Sequence, residues 1–424
     1  MANRKQLMIA INQADERLAE LYGKKDVAVQ KKRYIKAVEA FCNRYGECDN
    51  LEIFSAPGRT EIGGNHTDHN LGKVLAGSVN LDVVAIVSKN DSGMIRFKSE
   101  GHQEAVVSID DLQIHENEIG QSASLVRGMT ARFKQMGYRI GGFDAYSTSD
   151  VLRGSGLSSS AAFEVLLGTI LSGIYNDGTV SPVEIAKMAQ YAENEYFKKP
   201  CGLMDQMASS VGGVITIDFK EKDNPVIKKV NFDFSKSGYA LCIVDTGGNH
   251  ADLTNEYASI PGEMKAVAGY FGKSVLREVT KEEILSDIAS LREQFGDRAV
   301  LRSLHYLDDN KRVEQEVAAL NNGDFESFKK AIIESGNSSF RFLQNVYATS
   351  NPEEQGLSLA IYIAQGLLEG KGAYRVHGGG FGGTTQNFVP IDMADEFKTA
   401  IESVFGEGKC HILFIRNYGG IKVL

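Results

Sequence analysis

Two glycines and four serines fall within seven positions, Gly154-Ser155-Gly156-Leu157-Ser158-Ser159-Ser160, and Ala161 follows. Apolar residues then recur at helical spacing (Ala162, Val165, Leu166, Ile170), so the stretch reads as a glycine-rich loop opening a buried helix. Bare glycines let a phosphate approach backbone N–H groups, and the dipole of the following helix favours its charge. The three consecutive serines add hydroxyl donors, one of them a candidate Mg²⁺ ligand. A serine-capped core helix after a turn is a second reading of the same residues. Familiar nucleotide motifs do not account for the loop. No third glycine follows at dinucleotide spacing, and Gly272-Lys273-Ser274 has Val267 where a Walker A motif needs its first glycine.

A chain of 424 residues buries a large core and divides into two or three domains. No apolar run reaches membrane-spanning length, and residues 1–25 are polar rather than a secretory signal. Five scattered cysteines lack zinc spacing and fit free thiols in a reducing cytoplasm. A net charge of −9 argues against broad nucleic-acid binding, so any phosphate needs local cations. Arg59, Arg153 and Arg375 lie in glycine-rich stretches and are candidates.

Residues 1–45 read as a helical arm without a chemical motif. A strand over 51–55 runs into a loop over 56–70, where polar side chains crowd between glycines. His66, Asp68 and His69 are conceivable metal ligands, but no further histidine or cysteine pair follows at useful spacing; donors and acceptors for a polyhydroxylated ligand fit better. Strands are expected over 79–88, 94–98, 104–109 and 142–148, and a helix over 124–136. Ser181, Pro182 and Glu184 form a capping box. Glu193 lies beside the buried stripe of that helix. Asp205 is flanked by apolar and small residues, and such a carboxylate is either paired or functional. Strands over 211–219, 226–232 and 239–245 follow, with a charged turn at 220–225 as the border between halves. Helices are expected over 254–271, 280–294, 300–321, 325–342 and 352–368, the last capped by Asn351 with Pro352 in its first turn. Gly378, Gly380 and Gly383 formally satisfy G-x-G-x-x-G, but a strand over 384–389 follows rather than a helix. Two glycine loops so far apart suit convergence on one triphosphate.

Taken together, these stretches resemble the motifs of the GHMP small-molecule kinases, and of their galactokinase branch in particular. Arg59 through Asn70 is similar to the galactokinase sugar signature G-R-V-N-L-I-G-E-H-T-D-Y-N. Gly154 through Ala161 resembles the family's phosphate loop, and Val376 through Gly383 its C-terminal glycine loop. Cys201 to Gln206 (family C-G-I-M-D-Q) and Leu276-Arg277-Glu278-Val279 match further, in order, from about residue 50 to the end.

The resemblance implies an α+β, two-domain GHMP kinase fold, each domain a mixed or antiparallel sheet packed with helices, with the active site in the cleft between them. The expected division is a helical extension (1–50), an N-terminal domain (51–222) and a C-terminal domain (223–424). It implies Asp205 as catalytic base with Arg59 beside it, and His66, Asp68 and Tyr257 near the sugar. Nucleotide contacts fall on Gly154, Ser155, Gly156, Leu157, Ser158, Ser159, Ser160, Ala161, Gly379 and Gly380, and Mg²⁺ on Ser160 and Glu193. The implied reaction is ATP-dependent phosphorylation of the anomeric hydroxyl of galactose by a cytoplasmic monomer, with no nucleic-acid or membrane partner. Three residues depart from the pattern. Leu152 replaces a proline before the phosphate loop, and Asn249 a basic residue before His250. Asn65 replaces a glutamate that binds the distal hydroxymethyl of the sugar. An amide still hydrogen-bonds a hydroxyl and also tolerates a carboxylate, so Asn65 leaves galactose in competition with galacturonate. A kinase acting on N-acetylgalactosamine and a non-catalytic galactose sensor fit the same motifs.

Overall fold

The computed structural model describes residues 2–152, 156–222, 224–247 and 253–424. Arg153, Gly154, Ser155, Asn249 and His250, singled out above, lie outside the described residues.

The arm folds as three helices, α1 (Arg4–Gln13), α2 (Asp15–Tyr22) and α3 (Val27–Tyr45). Asn3 and Gln6 close a capping box on the first, satisfying N–H groups that the helix leaves open. Then come β1 (Glu52–Gly63), β2 (Lys73–Lys89), β3 (Met94–Ser99), β4 (Ala105–Ser108), α4 (Ser122–Gln135) and β5 (Phe143–Ser149). The glycine–serine loop leads into α5 (Ser159–Tyr175), followed by α6 (Pro182–Tyr191), α7 (Met204–Val211), β6 (Val214–Asp218) and β7 (Val226–Lys229). Among the described residues these strands and a C-terminal one form a mixed sheet, antiparallel except where β3 pairs with β5.

Next come β8 (Tyr239–Asp245), α8 (Thr254–Tyr270), α9 (Lys281–Ser286), α10 (Ile288–Phe295), α11 (Asp297–Asn321), α12 (Phe325–Ser338) and α13 (Gly356–Leu368). The chain ends with β9 (Ala373–His377), β10 (Thr384–Pro390), α14 (Ala394–Phe405), β11 (Cys410–Leu413) and β12 (Ile421–Lys422). A second, antiparallel sheet has the order β11-β8-β10-β9, while β12 returns to pair with β1.

Both faces of the first sheet are covered. Ile53, Val84 and Ile86 pack against the helical arm, whereas Phe54, Val83, Ala85 and Val87 join the core beneath α5. That two-sided burial explains why residues 79–88 read as a nearly continuous apolar run rather than an alternating one.

Four expectations are corrected. The loop expected over 56–70 is half strand: Arg59, Thr60 and Glu61 pair with Ser78, Gly77 and Ala76. The Pro-Gly and Gly-Gly signals mark register shifts between Pro57 and Arg59 and between Glu61 and Gly63, which are bulges rather than a break. The helix expected over 280–294 is broken at Asp287 into α9 and α10. The helix expected from 352 begins at Gly356, because residues 348–354 close turns in which Asn351 N–H donates to Ala348 and Glu354 N–H to Asn351. The border expected after residue 222 falls inside the β6–β7 hairpin, so the chain leaves the first sheet only after Lys229.

Candidate functional site

Asp205 occupies the first turn of α7, and strand β1 delivers Arg59 to it. The guanidinium grips the carboxylate with both prongs, Nε to Oδ1 at 2.8 Å and Nη2 to Oδ2 at 2.7 Å. Its remaining nitrogen donates to the carbonyl of Gly156, and the Arg59 amide donates to the carbonyl of Leu157 at 3.0 Å. The Ser158 hydroxyl donates to Asp205 Oδ2 at 2.5 Å. The expected base, its arginine and the serine loop therefore meet. Burial alone raises the Asp205 carboxyl, but Arg59 and Ser158 outweigh it and hold the group below the usual carboxylate range. Ser158 adopts left-handed backbone (φ 56), a conformation rare for a residue with a side chain and concentrated at functional sites.

Asp205, Arg59 and Gly156 line a cavity of about 520 Å³ with Glu61, His66, Asp68, His69, Tyr257, His377 and the glycines of the third loop. His66 donates from Nε2 to the carbonyl of Gly379 at 2.9 Å, which leaves Nδ1 as an acceptor; that atom is buried and, among the described residues, has no partner. Burial and the neighbouring His69 push His66 down to about 3, so the ring stays neutral. Tyr257, on α8, sets its ring 5.0 Å from that of His66. His377 is neutral for a similar reason, held down to about 3 by burial and the nearby arginines. Burial raises the Glu61 carboxyl, against Arg375 and Asn65, which act to lower it. Among the described residues no group of three or more His, Cys, Asp or Glu is placed to hold a metal ion, so His66, Asp68 and His69 form no such centre.

Asn65 is a correction. It is fully buried and does not line the cavity. Its amide nitrogen donates to Glu61 Oε1 at 3.0 Å and to the Gly378 carbonyl at 2.7 Å. Its oxygen accepts from Ser339 at 3.2 Å and Asn345 at 2.8 Å. All four hydrogen-bonding positions of the amide are taken, so none is left for a sugar.

The third loop also faces this cavity. Gly380 has φ +78, and a Cβ there would lie 1.9 Å from the Asn345 carbonyl oxygen. Gly380→Ala is therefore expected to destabilise the protein by about 1–3 kcal/mol and to displace the Asn345 backbone that the third loop packs against, disturbing the cavity wall and ligand binding there. Denaturant unfolding together with a sugar titration checks both effects.

On the other side of the serine loop lies a second cavity, of about 590 Å³, lined by Ser159, Ser160 and Phe163 of α5, Ser147 and Ser149 of β5, Ser99 at the end of β3, and Glu100 and His102 just after it. Leu157 and Ala161 are buried and line neither cavity. Glu193 sits in a π-helical turn (Ala192–Tyr196), 2% exposed, paired with Lys199 at 2.9 Å. The Gln206 amide bridges Glu193 Oε2 at 2.8 Å and Glu164 Oε2 at 3.1 Å. Among the described residues, Glu164 Oε1 and Gln206 Oε1 are buried acceptors without partners. The open oxygens of Glu164 and Gln206 beside Glu193 suit a hard cation such as Mg²⁺, while the oxygens of Glu193 itself are engaged by Lys199 and Gln206. No described contact joins Ser160 to Glu193.

Comparison with known proteins identifies the family. Residues 124–213 match the model of the GHMP kinases N terminal domain, and residues 39–89 that of the galactokinase galactose-binding signature. Galactokinase from Actinobacillus pleuropneumoniae is 31% identical over 386 residues, covering 86% of this chain and 92% of that protein. The chain belongs to the galactokinase family. Galactokinase from Streptomyces coelicolor is 29% identical, over 87% of this chain and 92% of that one. Among solved structures, Lactococcus lactis galactokinase complexed with galactose aligns with TM-score 0.76 at 23% identity, over 91% of this chain and 98% of that one. Methanococcus jannaschii mevalonate kinase aligns with TM-score 0.62 at 14% identity, over 86% and 98%. The two-domain GHMP kinase fold expected from the motifs is thereby established.

Within this galactokinase-family site, sequence reasoning missed three groups. Glu61 was passed over because its neighbourhood read as loop; once it is strand, its alternation with Arg59 reveals it. The Ser158–Asp205 contact has no local signal. His377, held by Thr384 Oγ1 at 2.9 Å and Thr60 Oγ1 at 3.1 Å, stood beside a glycine run that drew the attention instead.

Proposed function

We propose that this chain transfers the γ-phosphoryl group of ATP to the anomeric hydroxyl of galactose, giving galactose 1-phosphate and ADP. The observation that carries the reading is the Asp205 carboxylate, bonded at once to Arg59 and to Ser158 of the phosphate loop, in a cavity lined by polar side chains. Family membership and the galactokinase relatives support the same activity.

In this reading the sugar occupies the first cavity and the nucleotide the second, with the triphosphate crossing the serine loop between them. Asp205 accepts the proton of the attacking hydroxyl, or orients it if the transition state is loose. Arg59 keeps Asp205 ionised and neutralises charge on the transferred group. His66 and Asp68 line the first cavity and in this reading accept from sugar hydroxyls. Ser160 and Glu193 would hold Mg²⁺, which when bound neutralises phosphate charge. Gly379 and Gly380 face the sugar side, where the transferred phosphoryl group arrives. The unit would comprise two lobes over residues 51–424 with the helical arm as an extension, working as a monomer in the cytoplasm. Among the described residues no helix is long and apolar enough to cross a membrane.

A coupled ADP-release assay over galactose, galacturonate, N-acetylgalactosamine and arabinose tests the reading, with galactose expected to turn over best. Galactose binding beside an ATP analogue, with no turnover of any sugar, would make the protein a sensor and sink the kinase assignment.

A further inference from the structure

Resting on that reading of the first cavity, we infer that Glu61, not Asn65, recognises the distal hydroxymethyl of the sugar and sets its specificity. Arg59 and Glu61 pair in regular register with Ser78 and Ala76, so both side chains leave the same face of β1, and both line the cavity. Two residues of extended chain advance about 6.6 Å, comparable to the width of a pyranose ring. A sugar with its reacting oxygen at Asp205 and Arg59 therefore presents its far edge to Glu61. Glu61 Oε1 accepts from Asn65 at 3.0 Å and faces Arg375 Nη2 at 3.4 Å; among the described residues Oε2 has no hydrogen-bond partner. Asn65, by contrast, is saturated and behind the wall.

Set against the signature G-R-V-N-L-I-G-E-H, this chain carries a reciprocal exchange: Glu61 where the signature has asparagine, and Asn65 where it has glutamate. The carboxylate has not been lost from the site; it enters from another position, and Asn65 now orients it. A further departure accompanies the exchange. The signature isoleucine is Gly63, and a Cβ there would lie 1.8 Å from Glu316 Oε2, so the missing side chain makes room for a fully buried acid near Arg375.

A carboxylate accepts from a hydroxyl but repels another carboxylate. Among the described residues, Glu61, Asp68 and Asp205 line the cavity with Arg59 as the one arginine or lysine in its wall, and Arg375 lies behind Glu61. Galactose fits such a lining; galacturonate, which Asn65 by itself would have tolerated, does not.

The test measures kcat and KM of wild type, Glu61→Gln and Glu61→Asp with galactose, 6-deoxygalactose and galacturonate. The wild type is expected to prefer galactose to 6-deoxygalactose and to refuse galacturonate. Glu61→Gln should lose about 10- to 100-fold in kcat/KM on galactose, mostly in KM, with a much smaller loss on 6-deoxygalactose. If Glu61→Gln does not fold, Glu61→Asp, which keeps the charge but withdraws it, should show the same selective loss. Equal losses on galactose and its 6-deoxy analogue would overturn the role of Glu61 while leaving the kinase assignment intact. Failure of the wild type to phosphorylate any sugar would instead overturn the assignment itself.

Discussion

Asp205→Asn is expected to lower kcat by about 10²- to 10⁴-fold while ATP affinity stays nearly unchanged. The substitution keeps the shape of the side chain and removes its ability to take a proton. Asp205 touches Arg59 and Ser158 but does not line the second cavity, so nucleotide contacts survive. Single-turnover rates with titration of an ATP analogue separate the two effects. A variant that turns over normally, or one that loses only ATP binding, contradicts the assigned role. The pH dependence has a definite sign. Because Arg59 and Ser158 depress the Asp205 carboxyl, the base remains ionised above the usual aspartate value of about 3.9 and is lost only as pH falls further. No acid limb from this group should appear near pH 6.

Asp82→Ala is expected to cost about 3–5 kcal/mol of stability, the range for removing one partner from a buried ion network. Asp82 is fully buried where the helical arm, the first sheet and the C-terminal tail meet. Arg33 of α3 donates to its Oδ1 at 2.8 Å, and Arg416 to its Oδ2 at 2.9 Å. Tyr22 Oη and Ser55 Oγ also donate to Oδ2. Alanine leaves the completely enclosed Arg416 without its counter-charge. Burial raises the Asp82 carboxyl, but the two arginines prevail and its native value is depressed. A depressed carboxyl stabilises the fold above its unfolded value of about 3.9, and the contribution fades as pH falls through the lower native value. Denaturant midpoints of the two proteins should therefore differ most above pH 4 and converge in stronger acid. Equal midpoints at pH 7 would remove Asp82 as an anchor of the arm.

Much of the architecture follows from local signals. The capping box at Ser181 and Glu184 forms as spacing requires, and α5 begins at Ser159 directly after the serine loop. Where reading failed, a local cue had two meanings. Gly63-Gly64 suits a loop as well as a bulge, and only pairing with β2 distinguishes them. Asn351-Pro352 suits a helix start as well as a turn, and backbone bonds from Asn351 and Glu354 settle it as a turn.

The same distinction runs through the site. The order of residues already held the two loops, the carboxylate at Asp205 and the arginine at position 59, because small residues and isolated charges among apolar ones are visible without neighbours. Folding chose which side chain faces the sugar. Sequence alone points to Asn65; Ser339, Asn345 and Gly378, all distant in sequence, saturate its amide, while Glu61 keeps an oxygen to spare. Hydrogen-bond capacity is consumed in three dimensions, so no local pattern announces what remains of it.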